Sequence, residues 1–138
     1  MKNEWISVPS HDGQQFGAYL SLPPTGRGPG MVVLQEIWGV NEHIRAVADQ
    51  YASDGFVVLA PDVFWRMKPR VDLTYDEAGT KQAYDYMQRL DGANAVLDLT
   101  ATVKALHARS ELTGKVGIVG FCMGGRLAYL AAAESGVD

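Results

Sequence analysis

Short apolar runs alternate with stretches of helical period along most of the chain. Glu4–Val8 and Gln15–Leu22 read as two short strands, and His11-Asp12-Gly13 between them carries the Asp-Gly signal of a hairpin. After a loop rich in proline and glycine from Pro23 to Gly30, Met31–Leu34 is a continuous apolar run, the pattern of a strand covered on both faces. Asn41 is placed to cap a helix, in which Ile44, Val47, Ala48 and Tyr51 share one face and which Gly55 stops. Phe56–Ala60, closed by Pro61, repeats the buried-strand pattern. A longer loop, 62–73, follows. Thr74 and Glu77 have capping-box spacing and predict that a helix begins there, continued by Ala83, Tyr86, Met87 and Leu90. Val96, Leu99, Val103 and Leu106 mark the next helix, with Gly114 in the turn beyond it. Val116–Val119 is a third buried run, and Leu127–Ala133 a helix apolar nearly all round, hence central.

Strands alternating with helices predict right-handed crossovers, a mostly parallel sheet with helices on both faces, and an antiparallel hairpin at one edge, all in one α/β domain over 1–138. The 138 residues contain 47% apolar and 20% charged positions and a net charge of −4, an ordinary globular composition without runs of like charge. This points away from nucleic acid and membrane surfaces as partners. No apolar stretch approaches a membrane span, and Met1–Ser10 lack the basic start and apolar block of a secretory signal, so a cytoplasmic setting is the expectation. The single cysteine can form neither an internal disulfide nor a multi-cysteine metal site, and no metal or cofactor is expected.

That cysteine lies in Gly120-Phe121-Cys122-Met123-Gly124, between a buried strand and an apolar helix. This is the context of a nucleophile elbow, G-x-nucleophile-x-G. The residues two before and two after the nucleophile must be small because the chain passes close to itself. The helix starting there points the positive end of its dipole at the sulfur, favouring thiolate, and the Met123 N–H becomes an oxyanion donor. Against this stands a buried structural cysteine, a common role for a lone one.

Glu36 ends the strand that begins at Met31, so it falls at the carboxyl edge of the sheet with Cys122, where catalytic groups gather in open α/β sheets. A carboxylate there can take the thiol proton; the alternative is a solvated loop glutamate. Ile37 is placed to offer a second oxyanion N–H, beside a simple packing role for its side chain. His11, His43 and His107 fall in a turn, a first helical turn and a helix end, and read as surface histidines. All three precede Cys122, no histidine follows it, and Asp138 is the one aspartate after it, so a complete triad is not visible.

With these residues in place, the chain resembles the dienelactone hydrolase (carboxymethylenebutenolidase) family of α/β-hydrolases. The likeness is carried by Gln35-Glu36-Ile37-Trp38-Gly39-Val40-Asn41, by Gly55-Phe56 through Ala60-Pro61-Asp62, by Gln82-Ala83-Tyr84, and by Gly114-Lys115-Val116-Gly117 leading into the elbow. The resemblance implies a hydrolase that opens small lactones or esters through a cysteine acyl-enzyme. It implies Cys122 as nucleophile, Glu36 as the carboxylate that receives the thiol proton, Ile37 and Met123 as the oxyanion hole, and Tyr84 with Trp38 in the substrate pocket. The family's substrate-carboxylate arginine falls, in ungapped register, at Thr80; Lys81 beside it is a cation without the planar fork that grips a carboxylate. The family also continues beyond Asp138 into strands bearing its aspartate and histidine. The resemblance therefore implies that this is the N-terminal part of the fold, with an open apolar edge at Val116–Val119 that a complementing C-terminal segment would cover. Two other readings stay open: a glutaminase- or DJ-1-type cysteine enzyme on a flavodoxin-like fold, and an inactive or redox-sensing remnant.

Overall fold

The computed structural model describes residues 2–134. Five strands and four helices follow one another as β1 (Lys2–Pro9), β2 (Gln15–Leu22), β3 (Gly28–Leu34), α1 (Glu42–Ser53), β4 (Val57–Pro61), α2 (Glu77–Arg89), α3 (Gly92–His107), β5 (Leu112–Gly120) and α4 (Met123–Glu134). The strands form one sheet in the order β1-β2-β4-β3-β5. β4, β3 and β5 run parallel, while β2 pairs antiparallel with β4 and with β1. The expected hairpin is present, its turn closed by Ser10 N–H donating to Gln14 O at 2.7 Å.

The apolar runs that gave no alternation are explained by burial on two faces. Val32 and Leu34 of β3, with Val57 and Leu59 of β4, pack under α3 through Leu99, Val103 and Leu106. Val33, Val58 and Ala60 point the other way, under Ile44, Ala48 and Ala52 of α1. A strand period of two thus feeds two cores, and neither face shows a polar stripe.

Three local expectations change. α2 begins later than Thr74: Asp76 is the cap, accepting from the Gly79 N–H at 2.8 Å, and Thr74 Oγ1 donates to that same carboxylate at 2.8 Å. Two hydroxyl-or-carboxylate residues competed for one cap, and the one at the right offset from a free N–H won. Gly114 lies inside β5 instead of a turn before it, at φ +98°, where the pairing with β3 slips between Gly28 and Gly30. It supports a bulge, which a helix-to-strand boundary drawn from apolar residues alone does not show. α4 is only one-sided: Leu127 and Ala131 are buried, whereas Tyr129 is 80% exposed and Leu130 41%. β5 is the outermost strand of the described sheet on that side.

Candidate active site

β3 and β5 run parallel, with Leu34 opposite Gly120, so both end at the same edge of the sheet. The chain leaving β3 makes a tight turn through Glu36 and Ile37, closed by the Gly39 N–H donating to Glu36 O at 3.3 Å. The chain leaving β5 turns sharply into α4, and Cys122 sits on that turn at φ +54°, a left-handed conformation rare for a residue with a side chain. This is the strained backbone that a nucleophile elbow requires. The two small residues are accounted for by contact. A Cβ on Gly120 would overlap the Gly124 carbonyl, and one on Gly124 would lie 2.5 Å from Gln35 O and 3.0 Å from Leu34 O. The elbow is therefore seated directly on the residues that lead into Glu36.

Cys122 is exposed and lines a cavity of about 420 Å³ with Met87, Leu90, Gly92, Met123, Arg126, Leu127 and Leu130. The buried structural role is set aside by this exposure. Met123 is the first residue of α4, so Cys122 stands immediately before that helix's N-terminus. Among the described residues, no turn or cap hydrogen bond uses the N–H of Ile37 or of Met123. Ile37 itself is buried, and Glu36 is half-buried. No hydrogen bond joins the Glu36 carboxylate to the Cys122 thiol among the described residues. No histidine lines the cavity: His11 is beside Arg66, and His43 and His107 are exposed on α1 and α3.

Of the other expected substrate contacts, Tyr84 and Lys81 lie on α2, while Trp38 lies in the turn after β3 and reaches α2 through Thr80. Trp38 donates from Nε1 to Thr80 Oγ1 at 3.3 Å and meets Tyr75 edge-on at 4.8 Å. Thr80 is thus engaged by the indole. Tyr84, half exposed, and Lys81 border a separate surface recess with Glu77, Asp85 and Gln88. The side chains around the sulfur that sequence reasoning missed are Met87 and Leu90 at the end of α2 and Arg126 one turn into α4. Only the apolar period of α2 signalled the first two. Within the described residues no three His, Cys, Asp or Glu side chains are grouped to hold a metal ion, and no helix is long and apolar enough to cross a membrane.

Asp62, at the end of β4, was also missed. It is buried, its Oδ2 accepts the Arg70 N–H at 2.6 Å, and its Oδ1 has no partner among the described residues. Burial pushes its carboxyl up to about 6, against the opposing pull of the Arg70 and Phe64 N–H groups. The native state thus keeps a proton that an unfolded chain, with a carboxyl near 3.9, has already lost. The contribution of Asp62 to stability therefore falls as pH rises from about 4 to about 6, by roughly 2–3 kcal/mol, and is flat above that, opposite in sign to the contributions of Asp76 and Glu111, whose carboxyls are held low by their hydrogen bonds. Urea unfolding across this range should show this fall in the wild type relative to Asp62→Asn; parallel profiles would refute it.

Residues 16–138 match the Dienelactone hydrolase family. The carboxymethylenebutenolidase of a Pseudomonas species is 40% identical over 97% of this chain and 57% of its own length, and that of Pseudomonas putida 38% over 100% and 59%. The chain thus spans somewhat over half the length of these relatives, which carry the remainder in the same polypeptide, so a separate complementing segment finds no support in them. Among solved structures, a Klebsiella pneumoniae protein provisionally named a dienelactone hydrolase superposes with a TM-score of 0.80 at 29% identity, over 96% of this chain and 55% of that one. A dienelactone hydrolase-like promiscuous phosphotriesterase from metagenomic libraries gives 0.64 at 28%, over 96% and 54%. The strained cysteine turn, the sheet order and a match over most of the sequence agree: this chain belongs to the dienelactone hydrolase family.

Proposed function

We propose that the site performs acyl transfer on a small lactone or ester, with Cys122 as nucleophile. The observation that carries the reading is Cys122 at φ +54°, exposed at the mouth of a cavity between a strand end and a helix N-terminus. In this reading Glu36 takes the thiol proton. The sulfur adds to the carbonyl carbon, and the π electrons move to oxygen, which the Ile37 and Met123 N–H groups receive. Collapse expels the alkoxide, which is protonated as it leaves, and forms a thioester. Hydrolysis then needs a base, and none of the lining residues is a histidine. Acylation is accordingly the step this chain's own residues are arranged for.

The relatives named carboxymethylenebutenolidase bring a butenolide lactone as the substrate class. Apolar walls from Met87, Leu90, Leu127 and Leu130 with Arg126 alongside suit a small acyl group with an anionic or polar end. Tyr84, Trp38 and Lys81 would contact the parts of a substrate that reach α2. A reducing cytoplasmic setting, which keeps the thiol free, belongs to the same reading. The family match and the antiparallel hairpin at the sheet edge speak against a flavodoxin-like glutaminase or DJ-1 relative.

Iodoacetamide should alkylate Cys122 in the folded chain, read by intact mass, and p-nitrophenyl acetate should acylate it with a burst of p-nitrophenolate. Glu36→Gln should slow both at neutral pH by roughly tenfold or more, the low end of what a positioned proton acceptor contributes. Alkylation without any ester burst would leave a reactive, redox-type thiol and remove acyl transfer. Silence to both reagents would remove the nucleophile.

A further inference from the structure

We infer that Gln35 is a positioning residue that sets the oxyanion hole by fixing the plane of the Glu36–Ile37 peptide. The inference rests on the acyl-transfer reading and adds a residue that does not touch substrate. Gln35 is fully buried at the end of β3, an unusual place for a free amide. Its Oε1 accepts the Val63 N–H at 2.8 Å, and its Nε2 donates to Glu36 O at 3.2 Å. The first bond settles which end of the amide is which. A backbone N–H needs an acceptor, so oxygen faces Val63 and nitrogen faces Glu36.

The second bond acts on Ile37. The Glu36 carbonyl and the Ile37 N–H belong to one peptide unit, and no cis bond occurs in the described chain. A trans, planar peptide points its C=O and N–H in opposite directions. Holding Glu36 O from behind, by Gln35 Nε2 and by the Gly39 N–H at 3.3 Å, therefore aims the Ile37 N–H forward. A peptide flip would turn a carbonyl toward the developing oxyanion. The far side of the turn is braced by the same loop that supplies Val63. The Leu73 N–H donates to Trp38 O at 3.0 Å, and Gly39 packs so closely on Val71 O that a Cβ there would overlap it. Gln35 thus ties the turn to the start of that loop while Leu73 ties it to the end.

The test compares two reactions of the same sulfur. Attack on iodoacetamide displaces iodide from a saturated carbon and generates no carbonyl oxyanion. Attack on p-nitrophenyl acetate passes through one, and collapse expels p-nitrophenolate and leaves the thioester. The ratio of ester acylation to alkylation therefore reads the hole and cancels changes in thiol reactivity. In Gln35→Met this ratio should fall at least tenfold, with a cooperative melt retained. In Gln35→Glu the ionised carboxylate faces Glu36 O without a proton to give. The ratio should be low at neutral pH and recover several-fold as that carboxyl is protonated, while the wild-type ratio stays flat. If Gln35→Met does not fold, the pH response of Gln35→Glu decides alone. A wild-type chain silent to both reagents overturns the nucleophile and the role of Gln35 together. A reactive wild type whose ratio is unchanged in these variants, or unaffected by pH in Gln35→Glu, keeps Cys122 and overturns Gln35.

Discussion

Gly124→Ala is expected to be among the most damaging single-methyl changes in this chain, costing about 3–4 kcal/mol of stability. The added carbon would sit 2.5 Å from Gln35 O and 3.0 Å from Leu34 O, well inside the 3.4 Å at which ordinary contact begins. Neither obstacle is a side chain that can swing away. Both are backbone oxygens at the end of β3, and Leu34 is held in register against Gly120. Relief must come from moving α4 off the sheet or from displacing the turn that carries Glu36 and Ile37. For a domain of this size the melting temperature should drop by roughly 10 °C or more. The acylation of Cys122 should fall further than stability explains, by about a hundredfold in whatever fraction stays folded, because a shift of about 1 Å separates nucleophile from oxyanion donors. Gly125→Ala is the control. Its Cβ meets Gly120 O at 3.2 Å and the Gly120 carbonyl carbon at 3.6 Å, and alanine gains in helix propensity what the closer contact loses, so stability should move by less than about 1 kcal/mol. Thermal melts and the nitrophenolate burst read both variants; a Gly124→Ala chain with wild-type melt and burst would remove the close seating of the elbow.

The contrast between those neighbouring glycines also marks what a sequence can show. The elbow was legible because its constraint is local: two small residues, a strand before and a helix after. The buried strands were legible for the same reason, since burial on both faces writes an uninterrupted apolar run at Val57–Ala60 as it does at Val32–Leu34. Gln35 and Asp62 were not legible. Each is one polar letter at the end of an apolar run, and their partners, Val63 N–H and Arg70 N–H, are backbone groups that any residue type would present. The bulge at Gly114 is set by pairing with β3, more than eighty positions earlier in the chain. The cap of α2 was misplaced because Thr74 satisfies a spacing rule, whereas the structure uses it to orient Asp76. The cavity around Cys122 joins the end of α2, the start of α3 and the first turns of α4, a juxtaposition no local pattern encodes.

Asp98→Ala should cost about 3 kcal/mol, although it lies in the middle of a helix where alanine is the better helix former. Its carboxylate is 7% exposed and gathers four donors from three residues, in two separate parts of the chain. Ser10 Oγ donates at 3.0 Å, Trp65 Nε1 at 2.9 Å, and Arg66 through Nε at 3.2 Å and Nη2 at 3.1 Å. Removing it leaves the buried Trp65 and Ser10 donors without that acceptor. Arg66 keeps its 2.7 Å pair with Asp12 and a place over the Trp65 ring, and at 24% exposure it can turn to water, so the loss stays below that of a fully buried ion pair. Arg66→Met should cost less by itself, about 1–2 kcal/mol, since it strands only part of the carboxylate's bonding. The double variant should be less destabilised than the sum of the two by about 1 kcal/mol or more, the coupling expected of residues in one network. Exact additivity in urea unfolding would show that Asp98 acts through Trp65 and Ser10 alone. The same network holds Trp65 and Arg66 in the loop that begins at Asp62 and Val63 and ends by bracing the Glu36–Ile37 turn. Asp98→Ala should therefore also lower the acylation-to-alkylation ratio at Cys122 severalfold at temperatures where the chain is still folded. An unchanged ratio would confine this cluster to stability and sever it from the site.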